Sequence, residues 1–212
     1  FIDGTRSPET LTIPTAGVLN PAEGTIEFFF TPIAPQASSP YSRCFGWGGG
    51  YSNPVTKNDF FIVWGTGSGT NKISCGIADK TTGSRQEIYV TLNQNIQPGR
   101  WYYLAARWVL PGYIKLDVYD FTTGQAVTNQ TNTTLAPNFN VDGPARLGTN
   151  ASGTEWVNWI FDDLRTSSKA RTDEEIAEAR ASNQPLPVDA DTTLKLNFDG
   201  PDTQRAAKVL VV

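Results

Sequence analysis

The sequence predicts an all-β protein of two packed antiparallel sheets, with one short helix towards its C-terminal side. Apolar and polar residues alternate along most of the 212 residues, which is the pattern of half-buried strands. Clusters of Gly, Pro, Asn and Ser separate the alternating segments. Many short strands divided in this way are typical of a sandwich or barrel.

The predicted strands follow one another along the chain as alternating or continuously apolar segments. In the first clear strand, Ile26, Phe28 and Phe30 fall on one face. Residues 59–64 are apolar on both faces, which indicates a central strand covered on each side. Pro111-Gly112 joins two apolar segments in a predicted hairpin. The remaining strands are expected at 86–92, 101–110, 113–121, 145–149, 156–166 and 193–198, and loops at 46–54, 65–71 and 122–140.

One helix is predicted to begin after Thr172. Thr172 and Glu175 have the spacing of a capping box, in which the hydroxyl and the carboxylate each accept the other residue's amide. Asp173 and Glu174 also lie where the helix dipole stabilises negative charge. Pro185 limits the helix to about three turns. We therefore interpret these carboxylates as capping and solubilising groups.

Charge and composition exclude several functional classes. Lys and Arg number 17 against 21 Asp and Glu, for a net charge of −4, and no basic run offers a site for nucleic acid or an anionic membrane. The chain has no His, which excludes Ser-His-Asp and Cys-His catalysis and histidine metal ligands. No apolar run has the length of a membrane span. The low charged fraction of 18% favours an extracellular, cell-surface or virion protein.

The sequence predicts the domain organisation but leaves the state of the two cysteines open. The absence of a repeat or linker predicts a single domain over residues 1–212. Since the chain opens on Phe1 in strand-like sequence, we expect it to be a module of a longer protein. Cys44 and Cys75 suit either one disulfide or two buried free thiols.

Three motifs in this order carry a resemblance to a known family. They are the strand motif GTIEFFFTP at 24–32, the motif WYYLAARW at 101–108, and RLG at 146–148 followed by FDDLR at 161–165. Together they resemble the laminin G-like, concanavalin A-like jelly-roll family. The resemblance implies a two-sheet antiparallel jelly roll, of the kind found in bacterial surface proteins and phage tail components, and often glycan binding or adhesion.

Aromatic side chains indicate where a glycan would bind, since sugar rings stack on flat aromatic rings beside polar groups. Trp47 and Tyr51 lie in a glycine-rich loop that cannot bury them by strand alternation. We expect Trp64, Trp101 and Trp108 to pack in the core because their strands are strongly apolar. The predicted platform comprises Trp47, Tyr51, Asn53, Tyr113, Asp117, Tyr119, Trp156 and Asn158.

The resemblance also implies a structural calcium ion near the FDDLR strand. Calcium takes carboxylate and carbonyl oxygens as ligands. The candidate ligands are Asp162 and Asp163, with Asp3 and Asp199 if the two termini meet there.

Catalysis is disfavoured because no strand carries two carboxylates at alternating positions, the arrangement that glycosidases of this resemblance use. A lyase base could come from Tyr113, Lys115 or Tyr119, but such rows are ordinarily cross-strand pairs. The first interpretation is therefore a non-catalytic, lectin-like carbohydrate-binding module. The alternatives are a structural or protein-interaction module and, third, a polysaccharide lyase or glycoside hydrolase.

Overall fold

The computed structural model describes residues 11–13, 17–34, 42–46, 60–66, 69–139, 144–149, 156–181, 185–198 and 208–211. Within them the chain forms thirteen strands and one helix. In chain order these are β1 (Leu11–Ile13), β2 (Glu23–Pro32), β3 (Ser42–Gly46), β4 (Phe60–Thr66), β5 (Gly69–Ala78), β6 (Arg85–Thr91), β7 (Tyr102–Val109), β8 (Gly112–Asp120), β9 (Gln125–Thr133), β10 (Ala145–Leu147), β11 (Trp159–Ser167), α1 (Asp173–Ala181), β12 (Thr192–Asn197) and β13 (Lys208–Val211).

The strands form two sheets in which every neighbouring pair is antiparallel. The six-stranded sheet has the order β1-β10-β3-β4-β5-β6, and the seven-stranded sheet the order β13-β12-β11-β2-β7-β8-β9. The predicted two-sheet antiparallel sandwich with one short helix is confirmed. The predicted hairpin is also present, because β7 and β8 pair from Val109 and Tyr113 outwards.

The core lies between the sheets and is filled by large rings. Phe30 stacks on Trp159, with ring centroids 4.0 Å apart, and on Tyr102 at 5.2 Å. Trp108 is fully buried, and its indole N–H donates to the Asn20 carbonyl at 2.9 Å, which satisfies its polar atom. Trp64 is also buried. The prediction was wrong for Trp101, which is 40% exposed.

The structure resolves the choice between a disulfide and two free thiols. Cys44 on β3 and Cys75 on β5 are both buried and free, and β4 separates their strands. Burial in apolar surroundings raises the pKa of both thiols above the ordinary value. Both cysteines therefore contribute to the core as small apolar side chains.

Helix α1 begins as predicted. The Thr172 amide donates to the Glu175 carboxylate at 2.8 Å, and the Glu175 amide donates to the Thr172 hydroxyl at 3.2 Å. The buried side chains of the helix, Ile176 and Ala179, pack against the outer face of the seven-stranded sheet at Tyr103. Among the described residues, no helix has the length and apolar character needed to span a membrane.

A β-bulge interrupts β11 at the two aspartates. Asp162 pairs with Phe29, but the next paired residues are Arg165 and Glu27, and Asp163 has a positive φ of 53°. Phe161 faces the core, and the next residue of β11 that does so is Leu164, three positions later instead of two. Strict alternation, which places the two aspartates on opposite faces, does not hold here.

Two segments that the sequence predicts to be loops contain strands. β9 lies inside 122–140, and β4 and β5 extend into 65–71. β9 is an edge strand of the seven-stranded sheet with largely exposed residues. Because β9 buries few side chains on either face, its sequence is polar and lacks the apolar alternation that predicts a strand.

Candidate functional site

Three predicted platform residues lie on β8, and two of them, Asp117 and Tyr119, are close to helix α1. Asp117 is only 8% exposed. One carboxylate oxygen accepts from Arg107 Nη2 at 2.5 Å and the other from the Thr128 hydroxyl at 2.6 Å. Tyr119 lies under the Arg180 guanidinium, 4.8 Å from its ring centroid, and Tyr113 is half-buried. Asp117 is thus engaged within the protein and does not offer a free polar contact to a ligand.

The same outer face holds a buried ionic network. The Glu27 carboxylate accepts from the Tyr103 hydroxyl and lies 2.6 Å from Arg165 Nη2. Burial, together with the Glu27 charge, raises the pKa of Tyr103 well above its ordinary value. Arg171 forms two hydrogen bonds with Asp189, both at 2.8 Å. Because these groups satisfy one another, we interpret the network as structural.

Helix α1 is attached to this face by its first residue. Asp173 lies 2.6 Å from Lys115 Nζ and 2.8 Å from Arg107 Nη2. These hydrogen bonds, with Lys115 the stronger influence, lower the pKa of Asp173. Asp173 therefore docks the helix onto the sheet, in addition to its favourable position at the helix N-terminus.

Trp156 and Asn158 lie apart from the β8 residues. Trp156 is 41% exposed and forms an isolated bridge with Thr149. Thr149 is close to the end of β3, because its carbonyl oxygen would be 3.6 Å from a Cβ added at Gly46. Asn158 is half-buried, and its carbonyl accepts from the Ile33 amide at 2.7 Å. The structure therefore does not bring these two residues together with those of β8.

Trp47, Tyr51 and Asn53 lie outside the described residues. The segment that contains them joins Gly46 on β3 to Phe60 on β4, so its ends are attached to the six-stranded sheet. Their role in binding stays a prediction.

Asp163, one of the candidate calcium ligands, has both carboxylate oxygens occupied by other groups of the protein. One oxygen of its carboxylate contacts Lys195 Nζ, and the other accepts the Leu186 amide at 2.8 Å. In the part of the chain that the structure describes, no group of three Asp, Glu or Cys residues could hold a metal ion. Asp3 and Asp199 lie outside that part. A calcium ion held by Asp162 with these two residues stays a prediction.

The outer face of the six-stranded sheet carries a second cluster of aromatic and charged side chains. Ile73 and Cys75 belong to the core, so Lys72 and Ser74 point outwards from β5. Ser74 is opposite Tyr89 in the pairing register. We call this surface the Tyr89 face and define it by Arg43, Phe61, Lys72, Ser74, Arg85, Glu87 and Tyr89.

Phe61 forms the buried base of the Tyr89 face. The guanidinium carbons of Arg43 and Arg85 lie 5.1 Å and 4.4 Å from its ring centroid. The ring lies over Gly76, where a Cβ would be only 2.1 Å from Phe61 Cζ. Because Gly76 has no side chain, the Phe61 ring can pack against the sheet at this position, close to both arginines.

Tyr89 is the most exposed aromatic residue of this face, at 53%. The Lys72 ammonium lies 5.1 Å from its ring centroid. Two residues before Tyr89 on β6, the Glu87 carboxylate accepts a hydrogen bond from Arg85 Nη2 at 2.6 Å. A face with an exposed ring beside one lysine, and with an arginine and a glutamate further along, has the groups that bind a sugar: the ring can contact C–H groups, and charged side chains can bind hydroxyls.

The sequence contains part of the signal for this face. Alternation in 86–92 points Ile88 and Val90 inwards, and therefore points Tyr89 outwards. It gives no indication that Arg43 and Phe61 would lie on the same surface, because their positions depend on pairing between distant strands.

The fold is a two-sheet antiparallel β-sandwich. The chain belongs to the concanavalin A-like lectin/glucanases superfamily, whose laminin G-like sequence profile matches residues 5–177. The expected family is thereby confirmed. No curated protein sequence matches the chain.

Several solved structures have a similar fold. Tailspike protein 2 of bacteriophage CBA120, solved as its enzymatically active domain, aligns with a TM-score of 0.62 and 16% identity over 86% of this chain. The chain spans only 27% of that tailspike chain. A heptameric SAP-like pentraxin from Limulus polyphemus aligns with a TM-score of 0.56 and 15% identity, covering 99% of this chain and 93% of its own.

A third similar structure is the binding domain of botulinum neurotoxin DC in complex with SialylT. It aligns with a TM-score of 0.53 and 12% identity, over 76% of this chain and 36% of its own. At these identities the similarity shows the fold alone.

Proposed function

We propose that this protein is a non-catalytic carbohydrate-binding module that attaches its parent protein to a polysaccharide or cell-surface glycan. The observation that carries the proposal is the exposed Tyr89 ring with Lys72 beside it, on a face that also carries Arg85 and Glu87. In this arrangement the ring stacks on a sugar while the charged groups bind its hydroxyls.

The same face supports binding without catalysis. Hydrolysis of a glycosidic bond ordinarily uses two carboxyl groups on either side of the bond. Among the described strand residues of the Tyr89 face, Glu87 is the single carboxylate, and Arg85 is paired with it. A hydrolase would need its second carboxylate from elsewhere.

The similar structures support this proposal by analogy of fold. One of them, the neurotoxin binding domain, was solved in complex with SialylT. Another is a phage tailspike. An extracellular, cell-surface or virion location is part of the proposal and agrees with the low charged fraction of 18%.

A glycan array with calcium present tests the proposal. We expect the wild-type protein to bind a related set of glycans, and Tyr89→Ala to reduce binding by about tenfold or more, since loss of a stacking ring costs on the order of 1–3 kcal/mol. Trp101→Ala is the matched control, because it removes a partly exposed ring next to β7, a strand of the other sheet. Trp47→Ala and Tyr51→Ala test the platform predicted from sequence.

Two results would contradict the proposal. Silence across a broad array from a folded protein would favour the structural or protein-interaction alternative. Release of reducing ends from a bound polysaccharide would show an enzyme, as the third interpretation requires.

A further inference from the structure

Lys72 has no acidic partner among the residues that the structure describes. No acidic side chain in the described part of the chain forms an ion pair with it, and its one ring contact is with Tyr89. The Glu87 carboxylate, elsewhere on the same face, is paired with Arg85 at 2.6 Å. Lys72 is half-buried, and its ammonium can pair with an anionic group of a ligand.

A second unsatisfied group lies on the same strand and the same face. Ser74 is fully buried, and its hydroxyl makes no hydrogen bond among the described residues. Lys72 and Ser74 are two residues apart on β5, and Ser74 is opposite Tyr89. A buried hydroxyl without a partner is uncommon, because it has lost its hydrogen bonds to water.

These two groups complement a carboxylate better than a neutral hydroxyl. A carboxylate only accepts hydrogen bonds, and it can take one from the ammonium and one from the serine hydroxyl. The bond from Lys72 is charge-assisted and therefore stronger than a bond to a neutral oxygen. The adjacent Tyr89 ring would contact the sugar ring that bears the carboxylate.

Resting on the carbohydrate-binding function proposed above, we propose that the Tyr89 face selects acidic saccharides, with Lys72 and Ser74 binding a sugar carboxylate beside the Tyr89 ring. Ser74 lies at the floor of this site, so a ligand meets Lys72 and Tyr89 first. Binding of a carboxylate to the serine hydroxyl therefore requires rearrangement of the side chains above it.

Matched pairs of ligands test this selectivity. The probes are sialylated and uronic-acid oligosaccharides, each with a desialylated or carboxyl-reduced counterpart, and the dissociation constants are measured by calorimetry at low and high salt. For the wild-type protein we expect the acidic member of a pair to bind on the order of tenfold more tightly. High salt should reduce this ratio.

Three variants assign the selectivity to residues. Lys72→Gln should bring the acidic and neutral ligands to within about twofold of each other, and Ser74→Ala should weaken the acidic ligand by a smaller factor. Lys80→Gln is the matched control, because it removes the same charge from an exposed turn residue. Circular dichroism checks that each variant is folded.

The possible failures are distinguishable. If acidic and neutral members bind equally and Tyr89→Ala abolishes both, carbohydrate binding stands and the selectivity for acids is overturned. If acids are preferred but Lys72→Gln keeps that preference, the assignment to Lys72 is wrong. If the folded protein binds glycans of the array but neither member of any pair, only the selectivity for acids is overturned; if it binds nothing on the array either, both proposals fall.

Discussion

Glu27 and Arg165 form an ion pair that is almost completely removed from solvent. Nη2 of Arg165 lies 2.6 Å from Oε1 of Glu27, and the two side chains are 1% and 0% exposed. Arg171 Nε lies 3.5 Å from the same oxygen. One carboxylate on β2 thus joins the adjacent strand β11 to the segment that leads into helix α1.

Removing the Glu27 carboxylate should strongly destabilise the protein. Glu27→Ala leaves two buried guanidinium groups without their shared partner, which typically costs about 3–5 kcal/mol. Urea denaturation measures this loss in the free energy of unfolding. Glu23→Ala, at the exposed start of the same strand, is the control and should change stability by less than about 0.5 kcal/mol. A loss below about 1 kcal/mol for Glu27→Ala would contradict the structural interpretation of the network.

Asp189 should make stability depend on pH in the acid range. Its hydrogen bonds with Arg171 lower its pKa well below the ordinary value. A lowered pKa in the folded state means that this contribution is complete above the unfolded-state pKa, about 3.9, and is lost as the pH falls through the folded-state pKa.

Denaturation curves at pH 7 and at successively lower pH test this sign. Asp189→Asn should be less stable than wild type at pH 7, and the difference should shrink as the pH falls below about 4. Glu174→Gln, an exposed helix residue, controls for the loss of one negative charge. A difference that is constant down to acid pH would exclude Asp189 as its source.

A side chain at position 76 should be incompatible with Phe61. Gly76→Ala places a Cβ 2.1 Å from Phe61 Cζ, and Arg43 and Arg85 limit the ring's movement. Overpacking of this kind costs typically about 1–3 kcal/mol. In a Phe61→Ala background the same substitution should be nearly neutral, within about 0.5 kcal/mol. Equal costs in both backgrounds would show that the ring is not the obstacle.

The two thiols should be inert in the folded protein. Burial and raised pKa values leave Cys44 and Cys75 without reactive thiolate. Alkylation of the native protein should modify neither cysteine, and alkylation after unfolding without reductant should modify both, as measured by mass spectrometry. Resistance to alkylation after unfolding would indicate a disulfide instead.

Local patterns in the sequence determined the class of the fold and several of its elements. Alternation placed Phe28 and Phe30 in the core, and continuous apolarity identified β4 as a central strand. The capping box at Thr172 positioned the start of α1. These predictions succeed because strand alternation and helix capping depend on residues that are neighbours in the chain.

Only the tertiary structure decided which side chains share a surface. Strand alternation predicts that Asp117 is an outward polar residue, but its carboxylate accepts hydrogen bonds from Arg107 and Thr128. The bulge at Asp163 changes which residues of β11 point towards the core, and no local sequence pattern predicts it. The Tyr89 face joins strands whose pairing is set by packing of the whole sandwich. Cross-strand register depends on contacts between residues far apart in sequence, so composition and alternation could not specify it.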